Sequence, residues 1–208
     1  MKELLDMDRR ALLQRALLLA GASVAVSGCD MLAGSGNDKS FAFQADQFVL
    51  LSAVAGTIVP KTDTSGAIEA GVPKTFESLL RNWASSQTRD KIVGALDRID
   101  DAARKKSSKG FSELDEARRL ELLKAHDVHA LEIDPDGTPV KGSNPFAPVG
   151  PPQNDPGYAR MKELIVTLYY YSEAGLTEEL AYEHDPGVWE PSIPITPETR
   201  PWGGLGLF

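Results

Sequence analysis

Twelve of the chain's 14 prolines lie at or after Pro135. A proline fixes its own φ, lacks the N–H that a helix or ladder needs, and pushes the preceding residue out of helical space. The sequence therefore divides into a helical front and an irregular back. In the front, Phe48, Leu51, Ala55 and Ile58 recur at helical spacing and Pro60 closes that helix. Pro73 suits the first turn of a helix running to Trp83. Ile92, Leu96, Ile99 and Ala103 make the next apolar stripe, and Asp115 is the N-cap expected for a helix carrying Leu120 and Leu123. Residues 132–157 hold seven prolines and no helical period, which predicts a long loop. Met161, Leu164, Ile165, Leu168 and Tyr169 mark the last strong helix. From Tyr182 onward, prolines at 186, 191, 194, 197 and 201 predict an extended tail. No repeat and no alternation of strand and helix is present. The expected fold is mostly α: a small helical domain over residues 44–208 with a long proline-rich loop and an extended C-terminal tail.

The 208 residues suit one domain. Net charge is −8, a surface that repels phosphate backbones, so no nucleic-acid partner is expected. Cys29 is the single cysteine. An internal disulfide and a cysteine-ligated zinc or iron–sulfur site within this chain are thereby excluded.

The N-terminus is composed as a targeting segment. Arg9-Arg10 precede Leu12 and Leu13, and an apolar run of about 11 residues follows from Ala16 to Val26. A membrane-spanning helix needs about 20. The order of charged start, short core and small-residue end predicts an export signal over residues 1–28, and the paired arginines resemble a twin-arginine (Tat) signal. Leu12 stands where phenylalanine is common and Gln14 where lysine is. The alternative is an amphipathic helix with incidental arginines. Val26-Ser27-Gly28-Cys29 resembles a lipobox, which predicts acylation of Cys29, cleavage before it and a lipidated, flexible tether over residues 29–43. Asp30 resembles an inner-membrane retention signal, so the expected location is periplasmic and anchored to the inner membrane. An ordinary cleaved signal that happens to hold a cysteine is the other reading.

Catalytic constellations are sparse. His126 and His129 share a helix face with Asp127 and Glu132 nearby, but two imidazoles need a third ligand to hold zinc, and His184 has no fixed place. Surface or end-of-helix histidines are the simpler expectation. Asp134-Pro135-Asp136-Gly137 has the start of a calcium loop without the later ligands, which predicts a turn. Nucleophile elbows, phosphate-cradling glycine loops and dinucleotide fingerprints are lacking. Asp97, Asp100 and Asp101 read as a solvated helix face. No catalytic, cofactor-binding or metal residue is assigned.

Contact surfaces are better supported. Three adjacent rings, Tyr169-Tyr170-Tyr171, point three ways from a helix, so one belongs to the core and another is free for an interface. The terminus Pro201-Trp202-Gly203-Gly204-Leu205-Gly206-Leu207-Phe208 ends on large apolar side chains that either meet a partner or fold back on the chain's own helices. Asp63 and the threonines beside it can bond nearby amides and fix a loop, with Gly66 and Gly71 supplying unusual dihedrals. Glu173 near a helix end is a candidate loop clamp.

Ile58-Val59-Pro60-Lys61-Thr62-Asp63-Thr64-Ser65-Gly66-Ala67, followed by Ala70-Gly71-Val72-Pro73, resembles a signature of the gluconate 2-dehydrogenase subunit 3 family. Leu164 to Gly175, with its core Tyr169-Tyr170-Tyr171-Ser172-Glu173-Ala174-Gly175, is similar to that family's second signature. The likeness spans roughly residues 45–202, with Ser65 where proline is usual and Tyr171 where threonine is. The resemblance implies a non-catalytic small subunit of a membrane-associated dehydrogenase for sugars, sugar acids or related alcohols. Its large partner is a flavoprotein of the glucose–methanol–choline oxidoreductase type holding FAD, and a cytochrome c subunit with haem c often completes the complex. The small subunit supplies the export signal to the Tat translocase for its folded partner and aids maturation. On that basis Thr62, Asp63, Thr64, Tyr170, Tyr171, Glu173 and Trp202 are the candidate partner contacts, Arg9 and Arg10 the export signal and Cys29 the lipid site. The alternative is a stand-alone periplasmic lipoprotein that binds a ligand or serves as a scaffold.

Overall fold

A computed structural model describes residues 41–137, 152–182, 192 and 194–203. Arg9, Arg10, Cys29, His184, most of the proline-rich loop and the last five residues lie outside that set. Five α-helices make up the described body: α1 Ala45–Ile58, α2 Val72–Trp83, α3 Ser86–Ser107, α4 Glu116–Ala130 and α5 Pro156–Tyr170. Among the described residues there is no strand, only two isolated β-bridges. No helix among them is long and apolar enough to cross a membrane.

Each helix starts and stops for a local reason. Gln44 donates its amide to Gln47 Oε1 (3.2 Å) at the start of α1, and Pro60 lies just past its end. Gly71, at φ +71°, makes the left-handed entry to α2 that a side chain resists, and Pro73 sits in the first turn. Ser85 caps α3 by accepting from Thr88 N (3.2 Å), and Asp115 caps α4 by accepting from Arg118 N (2.9 Å). Asp155 caps α5 by accepting from Tyr158 N (2.9 Å), directly before Pro156.

The core is one cluster. Leu51, Val54 and Ala55 of α1 meet Phe76 and Leu80 of α2, Ile92, Leu96 and Ile99 of α3, and Tyr158, Met161 and Ile165 of α5. Fully burying each large apolar side chain contributes about 1.5–3 kcal/mol. The α3 stripe expected from spacing is buried throughout. In α1, Leu51 and Ala55 are buried whereas Phe48 and Ile58 sit half-buried at its edge. In α4, Leu123 is buried but Leu120 is 43% exposed, because the buried stripe is the narrow one through Leu122, Leu123 and Ala130. Asp97 and Asp101 are solvated as expected, while Asp100 has a structural task. It accepts from Phe111 N (2.7 Å) and pairs with Arg104, fastening the short 3₁₀ turn Phe111–Glu113 to α3.

Packing begins ahead of residue 44. Phe43 is buried and donates its amide to Glu77 (3.0 Å), Arg81 Nε donates to the Phe41 carbonyl (2.9 Å), and Arg89 lies over the Phe41 ring. Between α4 and α5 the two ends of the proline-rich loop are zipped together. Asp155 N donates to Ala130 O (2.9 Å), Asn154 N to Glu132 O (3.0 Å) and Asp134 N to Pro152 O (3.0 Å), around the antiparallel bridge Ile133–Gln153. Asp134 to Gly137 form the expected turn, with Asp136 N on Asp134 Oδ1 (3.0 Å).

Candidate functional site

The loop after α1 and the end of α5 are about a hundred residues apart in sequence and touch in space. Thr62 and Thr64 close the loop on itself through Thr62 N to Thr64 O (3.1 Å) and their paired hydroxyls (3.3 Å). Gly66 is forced by crowding: a Cβ there would come within 2.6 Å of Lys61 N and 2.9 Å of Val59 O. Tyr169, 3% exposed, donates its hydroxyl to Ser65 O (2.8 Å). Burial pushes this phenol up, helped by Glu179 and opposed by contact with Thr64.

Two carboxylates grip the same loop from the other side. Thr64 Oγ1 donates to Glu179 Oε2 (2.8 Å) and Ser65 N to Glu178 Oε2 (2.8 Å). Hydrogen bonding from Ser65, side chain first and amide second, holds the Glu178 carboxyl below its ordinary value. Both glutamates come from the π turn Gly175–Glu179. That turn is wider than an α-helical one and starts at Gly175, where a Cβ would collide with Tyr169 O at 2.1 Å. The clamp expected from Glu173 is thus made by Glu178 and Glu179. Glu173 is exposed, and its backbone carbonyl accepts from Thr177. The wide turn carries the later pair toward the loop.

The C-terminal tail adds a third layer. Ala181 N donates to Pro201 O (3.0 Å) and Gly203 N to Ala181 O (3.1 Å), a parallel bridge that lays Trp202 beside the π turn. So the tail returns to its own chain through Pro201 and Gly203, and still leaves the Trp202 side chain 58% exposed. Of the expected contacts, Thr62 and Asp63 stand exposed on the loop, Thr64 is half-buried in the clamp, and Tyr170 and Tyr171 are exposed at 41% and 55%. The ring trio therefore divides as anticipated, with Tyr169 inside and Tyr170 packed edge-on against it (5.3 Å between centroids). The result is a surface on which a pinned loop, two open tyrosines and a tryptophan are held by buried Tyr169, the two glutamates and the tail bridge.

Sequence reasoning missed Glu178 and Glu179. They resemble any solvated acidic pair, and only the glycine before them marks a departure from helix.

A second polar cluster lies between α3, α4 and α5. Arg98 donates two bonds to Asp155 (2.8 and 2.7 Å), Tyr158 OH donates to Asp127 (2.9 Å), and Lys162 meets the same carboxylate. Burial alone would raise Asp155, but the Arg98 bonds and the Tyr158 amide outweigh it and hold the carboxyl low. Burial raises Tyr158, and its bond to Asp127 adds to the effect. His126 is packed edge-on against Tyr158 (4.8 Å), 4.0 Å from Asp155, with Nε2 buried and unpartnered. Burial lowers its pKa, and Arg98 and His129 lower it further against the pull of Asp155 and Asp127. His129 is exposed and lies 3.8 Å from Glu132. The pair thus points two ways, and no group of three His, Cys, Asp or Glu among the described residues is placed to hold a metal.

A family model described as gluconate 2-dehydrogenase subunit 3 matches residues 45–187. No curated protein and no solved structure matches the chain.

Proposed function

The chain belongs to the gluconate 2-dehydrogenase subunit 3 family, and from that premise we propose that it is the non-catalytic accessory subunit of a periplasmic, membrane-associated dehydrogenase for sugars, sugar acids or related alcohols. The observation that carries this reading is the convergence of two distant stretches, 58–67 and 164–179, on one clamp in which buried Tyr169 and the carboxylates of Glu178 and Glu179 hold an outward-facing loop beside an aromatic surface. A rigid displayed surface suits binding, since its side chains lose little freedom when a partner arrives.

In this reading the partner is a large flavoprotein of the glucose–methanol–choline type that holds FAD, with haem c in a third, cytochrome subunit where one is present. This chain contributes the grip: Thr62, Asp63, Tyr170, Tyr171 and Trp202 meet the flavoprotein, and Tyr169, Glu178 and Glu179 keep them in register. Arg9 and Arg10 take the folded pair to the Tat translocase, and acylated Cys29 holds it to the inner membrane. The test is fractionation of cells carrying Arg9→Lys with Arg10→Lys. The flavoprotein is expected to remain in the cytoplasm, and its normal arrival in the periplasm overturns the escort role.

A further inference from the structure

A groove of about 470 Å³ opens on a different part of the helical body, between the end of α2 and the start of α5. Its apolar walls include Leu79, Trp83, Pro156 and Leu164. A close helix crossing lines it: at Gly157 a Cβ would meet the Lys91 carbonyl oxygen at 2.2 Å, so α5 starts tight against α3. Trp83, the last residue of α2, is 83% exposed and stands at the edge of this trough, so its indole extends the apolar wall into one contiguous surface.

The charge of the groove runs against that of the chain. Net charge is −8, yet the charged side chains that line the groove are Lys91 and Arg160, both positive. Arg160 is held by Glu163 (2.7 Å), whereas Lys91 is exposed and makes no ion pair with a described residue. An exposed indole, an apolar trough and an uncommitted ammonium together complement an apolar group that carries a carboxylate close by. The volume accommodates one or two large side chains and not a folded element. Tryptophan at the mouth of such a pocket is a residue type that dominates binding energy at protein interfaces.

We propose that this groove receives a segment of a partner protein that presents one or two large apolar side chains next to an aspartate or glutamate. The choice of a protein over a small amphiphile rests on the chain being a subunit of a larger dehydrogenase. It adds a second contact, at the start of α5, whereas Tyr170 and Tyr171 mark the end of that helix, so the partner would hold the domain at two places.

The test replaces Trp83 with a photo-crosslinking benzoylphenylalanine in the full-length chain, within the cells that make it, and sequences the adduct peptide. Trp83 is exposed, so the replacement leaves the core intact, which an unchanged melting temperature checks, and benzoylphenylalanine keeps a large aromatic group at the mouth of the groove. An adduct on a partner peptide with an apolar pair beside a carboxylate supports the proposal, as does a loss of adduct of at least five-fold in Lys91→Glu that Lys91→Arg does not share. An adduct with a second copy of this chain, an adduct with lipid, no adduct, or a yield indifferent to Lys91→Glu each overturns it. Tagged wild-type chain is purified in parallel. Wild type without any flavoprotein speaks against the accessory-subunit reading, and the identity of the adduct peptide still decides the groove. Wild type with flavoprotein but no adduct from position 83 leaves that reading standing and removes the groove.

Discussion

Asp155 is a single side chain on which three jobs meet, and two substitutions separate them. It caps α5 through Tyr158 N, pairs bidentately with Arg98, and stands 4.0 Å from His126. Loss of an aspartate N-cap costs about 1 kcal/mol. The Arg98 pair contributes about 0.5–1 kcal/mol, discounted because the Arg98 side chain is 52% exposed and keeps its water when released. Asp155→Ala removes both, about 2 kcal/mol in all. For a domain of this size 1 kcal/mol moves Tm by about 2–4 °C, so the expected fall is about 4–8 °C. Asp155→Asn retains a good cap through its one carbonyl oxygen and loses the charge together with the second acceptor for Arg98, with an expected fall of about 1–4 °C. Thermal unfolding followed by circular dichroism at pH 7 measures both. Equal losses in the two variants would show that the cap contributes nothing. An Asp155→Ala protein within about 1 °C of wild type would refute the claim that this residue joins the loop's return to α5.

Two further outcomes follow from the clamp and from the buried imidazole. Tyr169→Phe strands Ser65 O and is expected to cost about 1–2 kcal/mol, with hydrogen exchange speeding up in residues 62–66 before the rest; uniform exchange would show that the hydroxyl does not hold the loop. For His126 the folded pKa lies below the ordinary 6.5, so the unfolded chain takes up the proton first. Stability is then full above about pH 6.5 and declines as pH falls toward the folded value, and His126→Phe is expected to flatten the decline in Tm between pH 7 and pH 5; an unchanged slope would place the linkage elsewhere.

Much of the helical body was legible because a period of 3.6 and a few stop signals suffice for it. Ile92, Leu96, Ile99 and Ala103 needed only their spacing, and Asp115 only its position before an amphipathic run. Leu120 and Leu123 both lie on the expected helix, but which of them is buried depends on the width of the stripe, which spacing does not give. The loop and tyrosine segments stood out as residues, but their meeting did not, since the approach of Ser65 to Tyr169 is set by how α5 packs on its neighbours. The grip of Glu178 and Glu179 was illegible for another reason: it depends on one change of helical register, and a lone glycine at 175 signals a break without saying where the chain turns. Asp155 carried a usable signal that was passed over. An aspartate before Pro-Gly at the start of a helical run is a cap, even at the end of a proline-rich stretch.

The zipped pair of chain ends at 132–134 and 152–155 makes a narrow neck. Because the described residues already hold the two ends together, lengthening the chain between them has little thermodynamic weight: each doubling costs about 0.6 kcal/mol of closure entropy. That makes the interval after Gly137 the natural place to splice in an epitope or fluorescent label, at a distance in sequence from both the pinned threonine loop and Trp83.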